Sequence, residues 1–129
     1  MKRSIVAALL LGALVLSACL QQSTPAPTMP PVKPTGVVKE FVLNLSIKGF
    51  SPANPAVYAV NLGDTARFVV TATDGKHDFV IDEYGVKREI EKGQTVTVEF
   101  LADKPGVNIP IYDDLSGHRY QENAQLVVK

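Results

Sequence analysis

A side-chain alternation with a period of two constrains this chain more than any other feature. From Thr65 to Ala72 the sequence reads TARFVVTA, with Ala66, Phe68, Val70 and Ala72 on one side and Thr65, Arg67, Val69 and Thr71 on the other. Successive side chains of a strand point to opposite faces, whereas a helix needs apolar residues three and four apart. The same period returns in Phe41–Ile47, where Leu43, Leu45 and Ile47 alternate with Asn44 and Ser46. It returns again in Thr95–Phe100, where Val96, Val98 and Phe100 alternate with Thr95, Thr97 and Glu99. Further strands are predicted at Ala56–Asn61, Asp78–Asp82, Val86–Ile90, Val107–Ile111 and Ala124–Val128. Turn residues separate them: Leu62-Gly63-Asp64, Asp74-Gly75, Glu91-Lys92-Gly93 and Lys104-Pro105-Gly106. About seven or eight short strands, each with one apolar face, predict an all-β domain built as an antiparallel two-sheet sandwich.

The N-terminal third has a different character. Lys2 and Arg3 precede an apolar run from Ile5 to Leu16, and the small residues Ser17 and Ala18 precede Cys19. This is the layout of a secretory leader, and the run is shorter than the roughly 20 residues that cross a bilayer as a helix. Leu16-Ser17-Ala18-Cys19 resembles a lipobox, the site where bacterial lipoproteins are acylated on cysteine and cleaved just before it. Two or more acyl chains anchor stably where one does not. Residues 1–18 are therefore read as the leader, 19–38 as a lipidated Cys19 and Pro-rich tether, and 39–129 as one folded domain. The tether stretch QQSTPAPTMPPVKPTG cannot build a packed core and favours an extended spacer. The expected location is the cell envelope, with the domain lipid-anchored and facing the periplasm or exterior. Leu20 is not the aspartate that resembles an inner-membrane retention signal, which favours the outer membrane where a cell has two.

Charge narrows the choice of partner. The chain has 13 basic and 13 acidic residues, and loss of Lys2 and Arg3 with the leader leaves the mature protein slightly acidic. No basic run or aromatic-studded basic stripe marks a nucleic-acid surface. Nor is there a glycine-rich phosphate loop, a G-x-S-x-G, an H-E-x-x-H or a C-x-x-C, so no enzyme class is indicated. The single cysteine, Cys19, leaves none for a disulfide within the domain.

The order of motifs resembles a cupredoxin, in particular the copper domain of oxidase subunit II, over Phe50–Val128. Phe50-Ser51-Pro52 followed by Val60-Asn61-Leu62-Gly63-Asp64 is similar to that family's opening strand and turn. Lys76-His77-Asp78-Phe79-Val80-Ile81 resembles its "H-x-F-x-I" segment, in which the histidine is the first copper ligand. The stretch from Gly85-Val86 through Gly93 to Val96-Thr97-Val98-Glu99-Phe100 resembles the hairpin that follows. Lys104-Pro105-Gly106 resembles the turn into the ligand loop, and Ser116-Gly117-His118 its end, with the second histidine. The resemblance implies a Greek-key cupredoxin-like sandwich.

The departure from that pattern governs the chemistry. A blue-copper site needs two histidines, a cysteine thiolate and a weak axial ligand such as methionine. Here the family spacing of five before His118 puts Asp113 at the thiolate position, while a spacing of six selects Tyr112; four residues after His118, Glu122 takes the axial position. The resemblance thus implies a metal site of His77, Asp113, His118 and Glu122. Replacing soft sulfur by carboxylate favours Cu(II) over Cu(I), in a type-2-like site that could also hold Zn(II) or stand without metal. The expected role is copper handling or delivery rather than catalysis, by a monomer working beside an envelope redox or copper-transport protein. Two alternatives stand beside it: an electron-transfer cupredoxin, which the missing thiolate disfavours, and a metal-free interaction module. Tyr84, Tyr112 and Tyr120 are candidates for the rim of the same loop end, or ordinary packing residues.

Overall fold

The computed structural model describes residues 29–52, 56–115 and 124–129. Cys19, His118, Tyr120 and Glu122, like the whole leader, lie outside them. The described residues form nine strands: β1 (Val38–Ser46), β2 (Gly49–Ser51), β3 (Ala56–Val60), β4 (Thr65–Ala72), β5 (His77–Ile81), β6 (Val86–Ile90), β7 (Thr95–Leu101), β8 (Gly106–Ile111) and β9 (Ala124–Val128). A single 3-10 turn, Asp82–Tyr84, joins β5 to β6. In β4 the alternation is realised in full, since Ala66, Phe68, Val70 and Ala72 are all buried. Phe68 stands at the centre of the core, its ring centroid 5.0 Å from that of Phe41, 5.3 Å from Tyr58 and 5.4 Å from Phe79.

The expected antiparallel two-sheet sandwich needs two corrections. The first is direction: β1 pairs with β4, and β3 with β9, in parallel, while the other pairings are antiparallel. β1 and β4 run the same way because β3, in the other layer, carries the chain back between them. The second is the number of sheets. Four strands form the order β2-β1-β4-β7 and three the order β3-β9-β8, while β5 and β6 form a separate hairpin. That hairpin meets the three-stranded sheet through one bridge, in which Val80 and Tyr112 exchange backbone hydrogen bonds of 3.0 and 3.1 Å. Beyond the bridge the ladder stops, because the Asp78 N–H donates to the side chain of Asp113 and not to a strand carbonyl. A bulge between Gly106 and Ile109, with Asn108 at φ 63°, breaks the register of β8 as well.

A further correction concerns Ile47. It continues the alternation of Leu43 and Leu45 in sequence, yet it lies just past the end of β1 and is exposed, while those two are buried.

β1 and β4 run between two poles. One pole carries the turn at Gly63 and Asp64, with Ala102 and Lys129; the other carries Ile47, Asp74 and His77. The eight residues of β4 separate the poles by roughly 23 Å at the usual strand rise. At the first pole the segment preceding β1 is fastened to the domain. The Thr35 N–H donates to the Gly63 carbonyl at 2.8 Å, and its hydroxyl donates to the buried Asp64 carboxylate at 2.5 Å. Gly63 has a φ of 90°, and a Cβ there would stand 2.7 Å from the Lys33 carbonyl, so the close approach requires glycine.

Candidate metal centre

The second pole brings polar groups into the seam where the β5–β6 hairpin meets β8. His77 opens β5, a strand in which all five residues are buried, so its ring is only 1% exposed. Such a ring needs partners for both nitrogens. Its Nδ1 faces Asp113 Oδ2 at 2.6 Å, and its Nε2 faces Asp74 Oδ1 at 2.7 Å. An ionised carboxylate only accepts hydrogen bonds, so a ring held between two of them carries a proton on each nitrogen. The pKa of His77 is accordingly raised. Burial opposes the charge, but the hydrogen bonds to Asp113 and then Asp74, with their negative charges, outweigh it.

Each carboxylate is itself held. Asp113 Oδ1 accepts the backbone N–H of Asp78 at 2.9 Å and that of Leu115 at 3.0 Å, leaving Oδ2 aimed at the ring. Asp74 Oδ2 accepts the Ile47 N–H at 2.9 Å, tying the turn before β5 to the end of β1. The pKa of Asp74 is lowered, first by its hydrogen bond to His77 and next by that from Ile47. Nearby, Lys87 Nζ bonds Asp114 Oδ2 at 2.8 Å and stands 3.6 Å from Asp78 Oδ2.

The structure thus brings together two of the four residues singled out from the sequence, His77 and Asp113. The other two, His118 and Glu122, lie outside the described residues, as does Cys19. Tyr112 turns away, with its hydroxyl donating to Asp82 Oδ2 at 2.5 Å. Tyr84 stands at the far end of the hairpin, stacked on Phe100 at 4.3 Å and bonded to the Lys104 carbonyl. Sequence reading missed Asp74 as a site residue. Its Asp-Gly pair announces a turn, and nothing in that signal says where the carboxylate points.

The donor chemistry here fits a first-row metal. An imidazole Nδ1 and a carboxylate oxygen converge, and the outer nitrogen of the same ring is held by a second carboxylate, as metal-ligating histidines commonly are. Two donors on one such metal, each about 2.0–2.2 Å from it, stand about 3 Å apart. The 2.6 Å here is a hydrogen-bond separation, and a metal would take the place of the proton between the two groups. Among the described residues, no group of three or more His, Cys, Asp or Glu is arranged to hold a metal ion.

No protein-family model matches the chain, and no curated protein sequence does either. Solved structures do. A copper nitrite reductase from Nitrosomonas europaea matches at 20% identity and a TM-score of 0.56, over 71% of this chain and 41% of that one. A mutant of the laccase from B. aclada matches at 20% identity and a TM-score of 0.58, over 76% of this chain and 23% of that one. A copper binding protein solved in the apo form matches at 14% identity and a TM-score of 0.54, over 76% of this chain and 94% of that one. The chain spans less than half of the two enzymes and nearly all of the copper binding protein. Identities this low establish architecture alone, and that architecture is a cupredoxin-like fold.

Proposed function

We propose that this protein is a lipid-anchored envelope module that binds Cu(II) at the His77 pole, for copper handling or delivery. One observation carries the reading: the His77 ring points Nδ1 at the residue in the thiolate position and fixes Nε2 on an outer carboxylate. His77 and Asp113 would hold the metal from the described part of the site, with His118 and Glu122 as the remaining proposed ligands. Hard oxygen donors favour the divalent ion, so the metal would be a bound cargo and not a fast electron carrier. The only cysteine of the chain, Cys19, is assigned to the lipid anchor, which leaves electron transfer without its thiolate.

The 2.6 Å contact between Nδ1 and Asp113 also favours a second reading. A proton shared between the two groups is sufficient to hold the pole together. The domain would then be a metal-free interaction module that keeps an imidazolium between two carboxylates.

Calorimetric titration of the soluble domain with Cu(II) separates the two. The copper reading expects one equivalent bound far more tightly than exposed surface histidines bind it, and lost in His77→Ala. Binding no tighter than that of surface histidines would reject it in favour of the metal-free module.

A further inference from the structure

The segment preceding β1 bears on how the domain sits at its membrane. We infer that residues 30–37 form an orienting strap, which lays the Leu62–Pro105 pole on the lipid surface and turns the His77 pole away. The inference rests on the lipid-anchor reading of Cys19 and is independent of whether copper binds.

The strap is held by the backbone and not by side-chain packing alone. Thr35 bonds Gly63 through its N–H and Asp64 through its hydroxyl, and the Val37 carbonyl accepts the Thr65 N–H at 2.8 Å. Gly63 lets the Lys33 backbone approach more closely than any other residue would allow. The chain therefore leaves the domain at this pole whatever the upstream residues do.

The surface left there is apolar. Met29, Pro30, Pro31 and Val32 on the strap side, with Leu62 and Pro105 on the domain side, line a groove of about 350 Å³, which Lys33 also borders. Met29 is 64% exposed and Leu62 37%. The chain outside the groove decides what covers it. Met29 lies ten residue steps beyond Cys19, a length of chain that spans at most about 36 Å. An acyl anchor at that distance keeps the groove beside the bilayer, while the site pole stands a further strand length of roughly 23 Å away. Envelope partners in solution would then meet the His77 pole first.

The test uses the mature chain from Cys19 to Lys129. It contains no tryptophan, and Cys19 is its only thiol. Coupling that thiol to a maleimide lipid in phosphatidylethanolamine–phosphatidylglycerol vesicles with brominated acyl chains sets the anchor chemically. A single tryptophan is then introduced at either pole, as Leu62→Trp or Ile47→Trp, both exposed positions. The strap predicts emission quenched severalfold more for Leu62→Trp than for Ile47→Trp. It also predicts that the difference shrinks when Thr35→Ala and Gly63→Ala together loosen the strap. Equal quenching at the two poles, stronger quenching of Ile47→Trp, or none at either would overturn it. Acylation in cells is read separately, by fatty-acid labelling that Cys19→Ser abolishes, so a failed anchor and a failed strap give different results.

Discussion

Asp113 Oδ2 stands 2.6 Å from His77 Nδ1 across the seam between β8 and β5, although 36 positions separate the two residues in sequence. The same carboxylate accepts the Asp78 and Leu115 N–H groups, so one side chain closes the strand ladder, caps the loop and balances the ring. Removing one partner of a buried, hydrogen-bonded charge pair costs about 3–5 kcal/mol. Asp113→Ala in the metal-free domain should therefore lower unfolding stability by about that much in urea titration. Arg67→Ala, which removes exposed ion pairs with Glu40 and Glu99, should cost less than about 1 kcal/mol. Equal effects would mean that the seam contributes no more than a surface pair.

Asp74 tests the outer part of the site. It holds the ring nitrogen opposite the proposed metal, and removal of such a partner weakens metal binding 10–100-fold as an order of magnitude. Asp74→Asn should keep the fold and lower Cu(II) affinity by a factor in that range, measured by competition with a chelator. An unchanged affinity would show that His77 is oriented without it.

The two titrating groups give the metal-free domain a characteristic pH response. His77 has a raised pKa, so its contribution is complete below the ordinary value of 6.5 and is lost as pH rises through the folded value. Asp74 has a lowered pKa, so its contribution is complete above the ordinary 3.8 and is lost as pH falls through the folded value. The midpoint of urea unfolding should decline on the alkaline side of 6.5, and His77→Gln should flatten that limb. An alkaline limb that survives the substitution belongs to another group.

Tyr58 offers the opposite kind of test. Its hydroxyl is buried without a hydrogen-bond partner among the described residues, and burial raises its pKa, while its ring packs edge-on against Phe41 and Phe68. Removing an unsatisfied buried hydroxyl relieves its desolvation cost. Tyr58→Phe should leave stability unchanged or raise it by up to about 1 kcal/mol in the same assay. A loss of that size would reveal a partner for the hydroxyl.

Much of the architecture was legible in the chain wherever one strand face is buried and the other is not. β4 is the clearest case, because Ala66, Phe68, Val70 and Ala72 meet the core while Thr65, Arg67, Val69 and Thr71 do not. β5 left a weaker mark, because it is covered on both faces and alternation disappears in a doubly buried strand. Strand direction was not legible at all, since alternation is the same for parallel and antiparallel partners, and β1 beside β4 shows the consequence. At the candidate site, the pairing of His77 with Asp113 was legible through the spacing of a resembling family. Asp74 was not, because its role depends on the fold bringing the end of β1 beside the turn before β5. The docking of Thr35 on Gly63 was hidden for a similar reason: a proline-rich composition reads as spacer wherever it lies.

Pulsed EPR on the soluble domain loaded with one equivalent of Cu(II) bears most directly on the proposed centre. It detects the remote nitrogen of a metal-bound imidazole, which for His77 is the Nε2 facing Asp74. Modulation from such a nitrogen is expected in the wild-type protein, with the His77 contribution missing in His77→Ala. A spectrum without imidazole nitrogen, or one that His77→Ala leaves unchanged, would contradict it.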